Sequence, residues 1–207
     1  MITMTFCRWR RDDWEIALGD VSGKGIAAAP TMASLQASLR AEASRASSDV
    51  GSIVGTVNRL LYGATSQNRY ATFLYAQYHP AKRELVYVNA GHNAPMLFRK
   101  CQANGTVQRL TVGGTVVGLI PGVSYSDAAV PIEEGDLLVL FTDGITETMN
   151  AADEEWGEAN LIEAIQKCKD GCSRAMIAHI MRAADEFAAG AEQHDDMTLV
   201  VLRFGPR

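Results

Sequence analysis

The sequence predicts an α+β fold in which mainly antiparallel sheets pack together with helices on the outside. Three observations carry this. The middle of the chain alternates apolar and polar residues with period two and breaks at hairpin signals. Two continuous apolar runs are too short for helices and read as buried strands. The amphipathic helices come in sequential pairs instead of alternating one by one with strands, so a doubly wound sheet is not expected.

Taken in order, "WEIALGDV" (14–21) is a short apolar run that ends in turn chemistry, hence a strand. From Gly25, "GIAAAPTMASLQASLRAEA" sets Met32, Leu35 and Leu39 at helical spacing, and Pro30 is tolerable only in the first turn. "SSDVGSIVGTVNRLLYGA" puts Ile53, Val54, Val57, Leu60 and Leu61 on one stripe behind Ser48 or Asp49 as N-cap. These two helices are expected at about 26–43 and 50–63. "YATFLYAQYHP" and "ELVYVNAGH" form a hairpin across "PAKR", and "APMLFRK" and "TVQRLTV" flank Asn104-Gly105, a strong hairpin signal. "DLLVLFTDG" (136–144) reads as a buried strand, followed by helices around 157–168 and 174–189 and a buried closing strand, "MTLVVLRF" (197–204).

With 207 residues, 47% hydrophobic and 21% charged, the chain can bury a substantial core and is not expected to be disordered. A net charge of −5, with no basic run beyond "CRWRR" (7–11), argues against a nucleic-acid surface. That run reads as a solvated strand edge or loop. Cys7, Cys101, Cys168 and Cys172 have no His or Cys partners at zinc spacing and are expected as free thiols. No apolar run approaches the roughly 20 residues of a membrane span, and the N-terminus has no export signal, so a soluble cytoplasmic protein is expected.

"GDVSGKG" (19–25) has the look of a phosphate-cradling loop, but the comparison fails. Gly19 and Gly23 are separated by three residues instead of four, and Lys24 is followed by Gly25 where a metal-binding hydroxyl belongs. The loop also carries an acid, Asp20. Asp20 lies at the end of the first strand, Asp143 ends "LLVLFTD", and Asp195 and Asp196 immediately precede the closing strand. One aspartate at a strand end is ordinary turn chemistry. Several at the tips of neighbouring buried strands repel one another unless a cation neutralises them, and oxygen donors suit Mg²⁺ or Mn²⁺. Gly19, Gly23 and Gly25 either let the backbone approach such ions or are plain turn glycines.

"GDVSGKGIAAAPTMA", "YATFLYAQYHPAKRELVYVNAGHNAP", "GLIPGVSYSDAAVPIEEGDLLVLFTDGITET" and "DDMTLVVLR" occur in this order. Together they resemble the SpoIIE/RsbU-type phosphatase domain of the metal-dependent protein phosphatase 2C-like (PPM) family, over residues 14–204. The resemblance implies a β-sandwich of two mainly antiparallel sheets flanked by helices in α-β-β-α layers, forming one domain over 1–207. It implies two Mn²⁺ or Mg²⁺ ions and hydrolysis of phosphoserine by metal-activated water, with no side-chain nucleophile. The implied substrate is a phosphorylated anti-sigma factor antagonist, a STAS domain, in a bacterial partner-switching pathway. By resemblance Asp20 bridges both metals, the carbonyl of Val21 binds one, and Asp143 and Asp195 bind the other. Asp196 is the second choice to Asp195. Gly144 lies in the same "TDG" motif. His92 and Asn93 in "NAGHNAP" are signature residues of the branch, although a His held by a backbone contact in a turn is the plainer alternative. Glu147 is read either as an orienter of the ligands or as a surface glutamate.

Two positions depart from the family pattern. Ser22 stands where animal and plant relatives carry a His, and no other group is identified as general acid. The opening strand with Gly-Gly-Asp is missing from "MITMTFCRWRRDDW", so the chain is read as a fragment or as starting downstream of that strand, and Asp12 and Asp13 as a turn. An upstream sensor acting through the first two helices is then expected. The rival readings are a PPM-fold module that binds a partner protein with little or no catalysis, and a phosphate-handling NTPase.

Overall fold

The computed structural model describes residues 2–10, 13–23, 28–44, 49–65, 69–100, 106–193 and 195–206. They group into two compact units. The first takes Met1–Ala94 and Leu110–Ile132, the second Pro95–Arg109 and Glu133–Pro206. Each has its own sheet, helices and apolar core, so the α+β class stands.

The first unit begins with β1 (Ile2–Arg10) and β2 (Asp13–Val21), a nine-residue antiparallel pair. A strand therefore precedes β2 although the Gly-Gly-Asp motif is absent. Asp13 lies inside β2, not in a turn before it, and Asp12 lies outside the described residues. "CRWRR" is in part ladder: Arg8 Nη2 donates to Glu15 Oε2 at 2.5 Å, and Glu15 is buried. The first helix, α1 (Ala29–Ala43), opens with Pro30 in its first turn, where the missing N–H costs nothing. Leu35 and Leu39 are fully buried and Met32 packs against the same core.

The second helix, α2 (Val50–Ala64), is capped by Asp49, whose carboxylate accepts from Ser52 N–H at 2.7 Å. That bond holds the Asp49 pKa below its usual value. Ile53, Val54, Val57 and Leu61 are buried as the stripe predicts. Leu60 is 43% exposed, because a stripe of five apolar residues is wider than the contact face here.

Next come β3 (Ala71–His79) and β4 (Glu84–Ala90), the expected hairpin. The sheet is extended by β7 (Gly113–Gly114) and β8 (Ala128–Pro131), both pairing β4. The sheet order is β1-β2-β3-β4-β7, and only β4–β7 is parallel. Ala17, Val21, Phe73, Tyr75 and Val88 face α1 and α2 in one core. Burying each large apolar side chain there stabilises the unit by roughly 1.5–3 kcal/mol.

The second unit holds β5 (Met96–Phe98), β6 (Val107–Arg109), β9 (Leu137–Phe141) and β10 (Leu199–Arg203) in the order β10-β9-β5-β6, all antiparallel. The Asn104-Gly105 turn between β5 and β6 lies outside the described residues. The short α3 (Asp143–Thr146) follows β9. Beyond it α4 (Gly157–Lys167) and α5 (Ser173–Ala188) supply Leu161, Ile165, Met176 and Ile180 to a core with Val139 and Phe141. All of β9 is buried, whereas β10 is an edge strand with only Val201 fully inside, which corrects the expectation of a buried closing strand. Among the described cysteines Cys7, Cys168 and Cys172 are free thiols. No described helix is long and apolar enough to cross a membrane.

At the start of β9 the fully buried Asp136 collects Arg99 Nη1 at 2.8 Å and the N–H groups of Glu133 and Lys100 at 2.9 and 3.1 Å. Replacing Asp136 by Ala leaves a cation and two backbone donors without their acceptor. The expected loss is about 3 kcal/mol in urea unfolding, with Asp136→Asn in between. A loss below about 0.5 kcal/mol, the range of ordinary surface changes, would contradict this role.

Candidate functional site

Asp20, Val21, His92 and Asn93 belong to the first unit; Asp143, Gly144, Glu147, Asp195 and Asp196 belong to the second. At the C-terminal end of β2, Val21 is fully buried in the helix-facing core and Asp20, 6% exposed, points to the opposite face. The register sets Thr3, Asp20 and Thr72 side by side across β1, β2 and β3. Thr72 continues the row: its hydroxyl and His92 Nδ1 share a hydrogen bond of 2.9 Å.

Both readings of His92 find an observation. Its backbone is tied down in the turn after β4, where its N–H donates to Asn89 Oδ1 at 2.8 Å and Asn89 Nδ2 donates back to its carbonyl at 3.0 Å. Its ring, meanwhile, reaches the row that carries Asp20. Asn93 is half-buried beside it. Ser22 closes the turn after β2 onto the start of β3. Its hydroxyl accepts from Tyr70 N–H at 3.1 Å and its N–H donates to Tyr70 O at 2.9 Å. Lys24 and Gly25 lie outside the described residues.

In the second unit the organising residue is Thr142, 1% exposed, directly after β9. Its hydroxyl donates to Asp196 O at 3.0 Å and accepts from Thr198 N–H at 2.9 Å, while its own N–H donates to Thr198 O at 3.1 Å. The segment that carries Asp195 and Asp196 is thereby clamped beside Asp143. Gly144 is required by this approach, since a Cβ there would lie 2.5 Å from Asp196 O. Asp143 Oδ1 accepts from Gly144 N–H at 2.9 Å and Asp195 Oδ1 from Asp196 N–H at 2.8 Å. Asp195 is half-buried and Asp196 exposed. The Glu147 pKa is raised, first by partial burial and then by the negative charges of Asp143, Glu155 and Asp195.

Neither Thr142, Thr72 nor Asn89 is a candidate in the sequence, because a Thr or Asn inside an apolar run carries no signal of what it bonds. Asn89, two residues before Gly91 in "VNAGHN", is visible only as part of that motif.

Donor chemistry and charge fit a hard divalent cation: every candidate ligand is an oxygen, and Glu147 feels the negative charges of Asp143, Glu155 and Asp195. Among the described residues no three His, Cys, Asp or Glu side chains already stand together as a ready set of ligands.

The chain is similar to known proteins. The chain is 29% identical over 197 residues to "Phosphoserine phosphatase RsbU" of Bacillus subtilis, covering 93% of this chain and 56% of that protein. It thus spans little more than half the length of that relative. In structure it is similar to the SiaA-PP2C domain of Pseudomonas aeruginosa, with a TM-score of 0.81 at 18% identity over 98% of this chain and 80% of that one. It is also similar to RsbX crystallised in complex with magnesium, with a TM-score of 0.67 at 20% identity over 96% of this chain and 85% of that one. These likenesses show a PP2C-type fold. The family model of Stage II sporulation protein E (SpoIIE) matches residues 10–205, and the chain belongs to that family.

Proposed function

We propose that the chain is a metal-dependent phosphatase that hydrolyses phosphoserine on a protein. The observation that carries this is the placement of Asp20 and Val21 at one strand end within a chain of the SpoIIE family. The relative named phosphoserine phosphatase supports the reaction, and the magnesium complex of RsbX supports a divalent cation.

Asp20 and the carbonyl of Val21 are the proposed ligands in the first unit, and Asp143 and Asp195 in the second. Two Mn²⁺ or Mg²⁺ ions would supply a water acidified toward neutrality and positive charge opposite the phosphoryl oxygens. The residues do the rest. Thr142 holds the backbone next to Asp195 in place through Asp196 and Thr198. Thr72 fixes the His92 ring beside the Asp20 row, and His92 with Asn93 is proposed as a supporting pair. Glu147 is proposed to orient Asp143, whose carbonyl accepts its N–H at 2.7 Å.

The finer assignment follows the family: a phosphorylated STAS-domain anti-sigma factor antagonist as substrate, a cytoplasmic setting, one functional domain, and an upstream sensor acting through α1 and α2. A second reading, a PPM-fold module that binds a partner without turnover, draws on one observation: among the described residues no three His, Cys, Asp or Glu side chains stand together as a ready set of ligands.

Hydrolysis of p-nitrophenyl phosphate with Mn²⁺ or with EDTA separates the two. The expected result is turnover that needs Mn²⁺ and falls at least about 100-fold in Asp20→Asn, as for loss of a main transition-state contact. A folded chain that is silent with Mn²⁺, yet binds a STAS-domain protein, would support the binding module instead.

A further inference from the structure

The geometry points to Arg69 as the residue that binds the phosphoryl group, an inference that rests on the phosphatase reading above. Arg69 sits just before β3, half-buried, and stays close to Asp20 and Val21 because the turn after β2 is bonded to its segment. Ser22 N–H and hydroxyl both bond Tyr70, and Arg69 Nη1 donates to Ser22 O at 3.4 Å. Gly23 takes φ +96°, a conformation that favours glycine, and the Arg69 guanidinium lies over it, 2.7 Å from where a Cβ would stand. The turn that follows Asp20 thus has a cation packed against it.

What this cation lacks is an anion. Arg8, Arg99 and Arg109 each face a carboxylate, at 2.5, 2.8 and 2.6 Å. Arg69 has a single long bond to a neutral carbonyl and no acid among the described residues. A guanidinium carries five N–H donors in a planar fork that matches two oxygens of a phosphate. Most of these donors are left for a ligand. The Asp20 carboxylate, proposed to hold cations, repels a phosphoryl group by itself, and a guanidinium bonded to the turn that follows Asp20 would offset that repulsion. The ligand class is a phosphate monoester, here phosphoserine, held through its non-bridging oxygens.

The test compares the full chain with Arg69→Gln and Arg69→Lys in Mg²⁺. Binding of inorganic phosphate is followed by ³¹P line broadening, which needs no turnover. KM and kcat for p-nitrophenyl phosphate and the thermal midpoint are measured alongside. Arg69→Gln is expected to weaken phosphate binding and raise KM about tenfold, equivalent to about 1.4 kcal/mol, with the midpoint within about 2 °C. Arg69→Lys recovers part of the loss, since a point charge replaces a bidentate fork. Phosphate binding by Arg69→Gln within about twofold of the unaltered chain overturns the assignment, as does an unaltered chain that binds no phosphate at millimolar concentration. Turnover that survives Arg69→Gln unchanged leaves the phosphatase reading standing and removes Arg69. Phosphate binding that depends on Arg69 in a chain without turnover does the reverse. If Arg69→Gln does not fold, Arg69→Lys decides, with about threefold weaker phosphate binding expected against none.

Discussion

The alternation of β2 is the constraint on which the candidate site depends. Ala17 and Val21 are buried among the helices, and Gly19 lies where a Cβ would touch Leu35 and Phe73. Side chains of a strand alternate, so Asp20 must face the other way, and a slip of one residue would drive its carboxylate into the apolar core. Pairing with β1 along its whole length and with β3 from Trp14 to Val21 holds the register. The same pairing lines up Thr3 and Thr72 beside Asp20 and brings His92 to the end of the row through a side-chain bond. An acid at this position is expensive to keep ionised unless something positive or hydrogen-bonding attends it. The cation proposed to be held by Asp20 and the neighbouring Val21 carbonyl would answer that cost.

The second unit solves a related problem by different means. Its acids lie outside the strands, at the first position of the short α3 and in the segment before an edge strand, where the ladder cannot position them. Thr142 does so instead, extending the β9–β10 pairing by one backbone bond while its hydroxyl takes both a donor and an acceptor of the opposing segment. Gly144 permits the contact. At the opposite end of β9, Asp136 anchors the strand start with Arg99, so both ends of the one fully buried strand of this sheet are fastened by polar side chains.

Much of this is legible in the sequence, for physical reasons. The β3–β4 hairpin, α2, α4, α5 and β9 have strong periodic patterns because each buries one face, or both. Asp20 and Asp143 stand out because an acid at the end of a buried apolar run is a conspicuous choice, and Asp195 because it stands shortly before an apolar run, which the structure makes the edge strand β10. The first strand is not legible: Ile2–Arg10 mixes charges and apolar residues without clean alternation, and its strand form comes from pairing with β2 and from the Arg8–Glu15 bond. Two further strands, β7 and β8, are two and four residues long, below the length at which a period can be read. Spacing alone puts Leu60 in the core, and spacing does not say how wide a face the sheet covers. Arg69 and Thr142 are invisible in the sequence because their meaning lies in what they do or do not bond.

Whether these particular aspartates hold the cations is best decided by Mn²⁺ binding, followed through the electron paramagnetic resonance of the free ion and so without reference to turnover. The unaltered chain is compared with Asp20→Asn, Asp143→Asn, Asp195→Asn and Asp196→Asn, with folding checked by circular dichroism. The first three are expected to weaken binding about tenfold or more each, the effect typical of a damaged metal site, while Asp196→Asn stays close to the unaltered chain. Unchanged affinity in Asp20→Asn, or a loss at Asp196 with none at Asp195, would contradict the assignment.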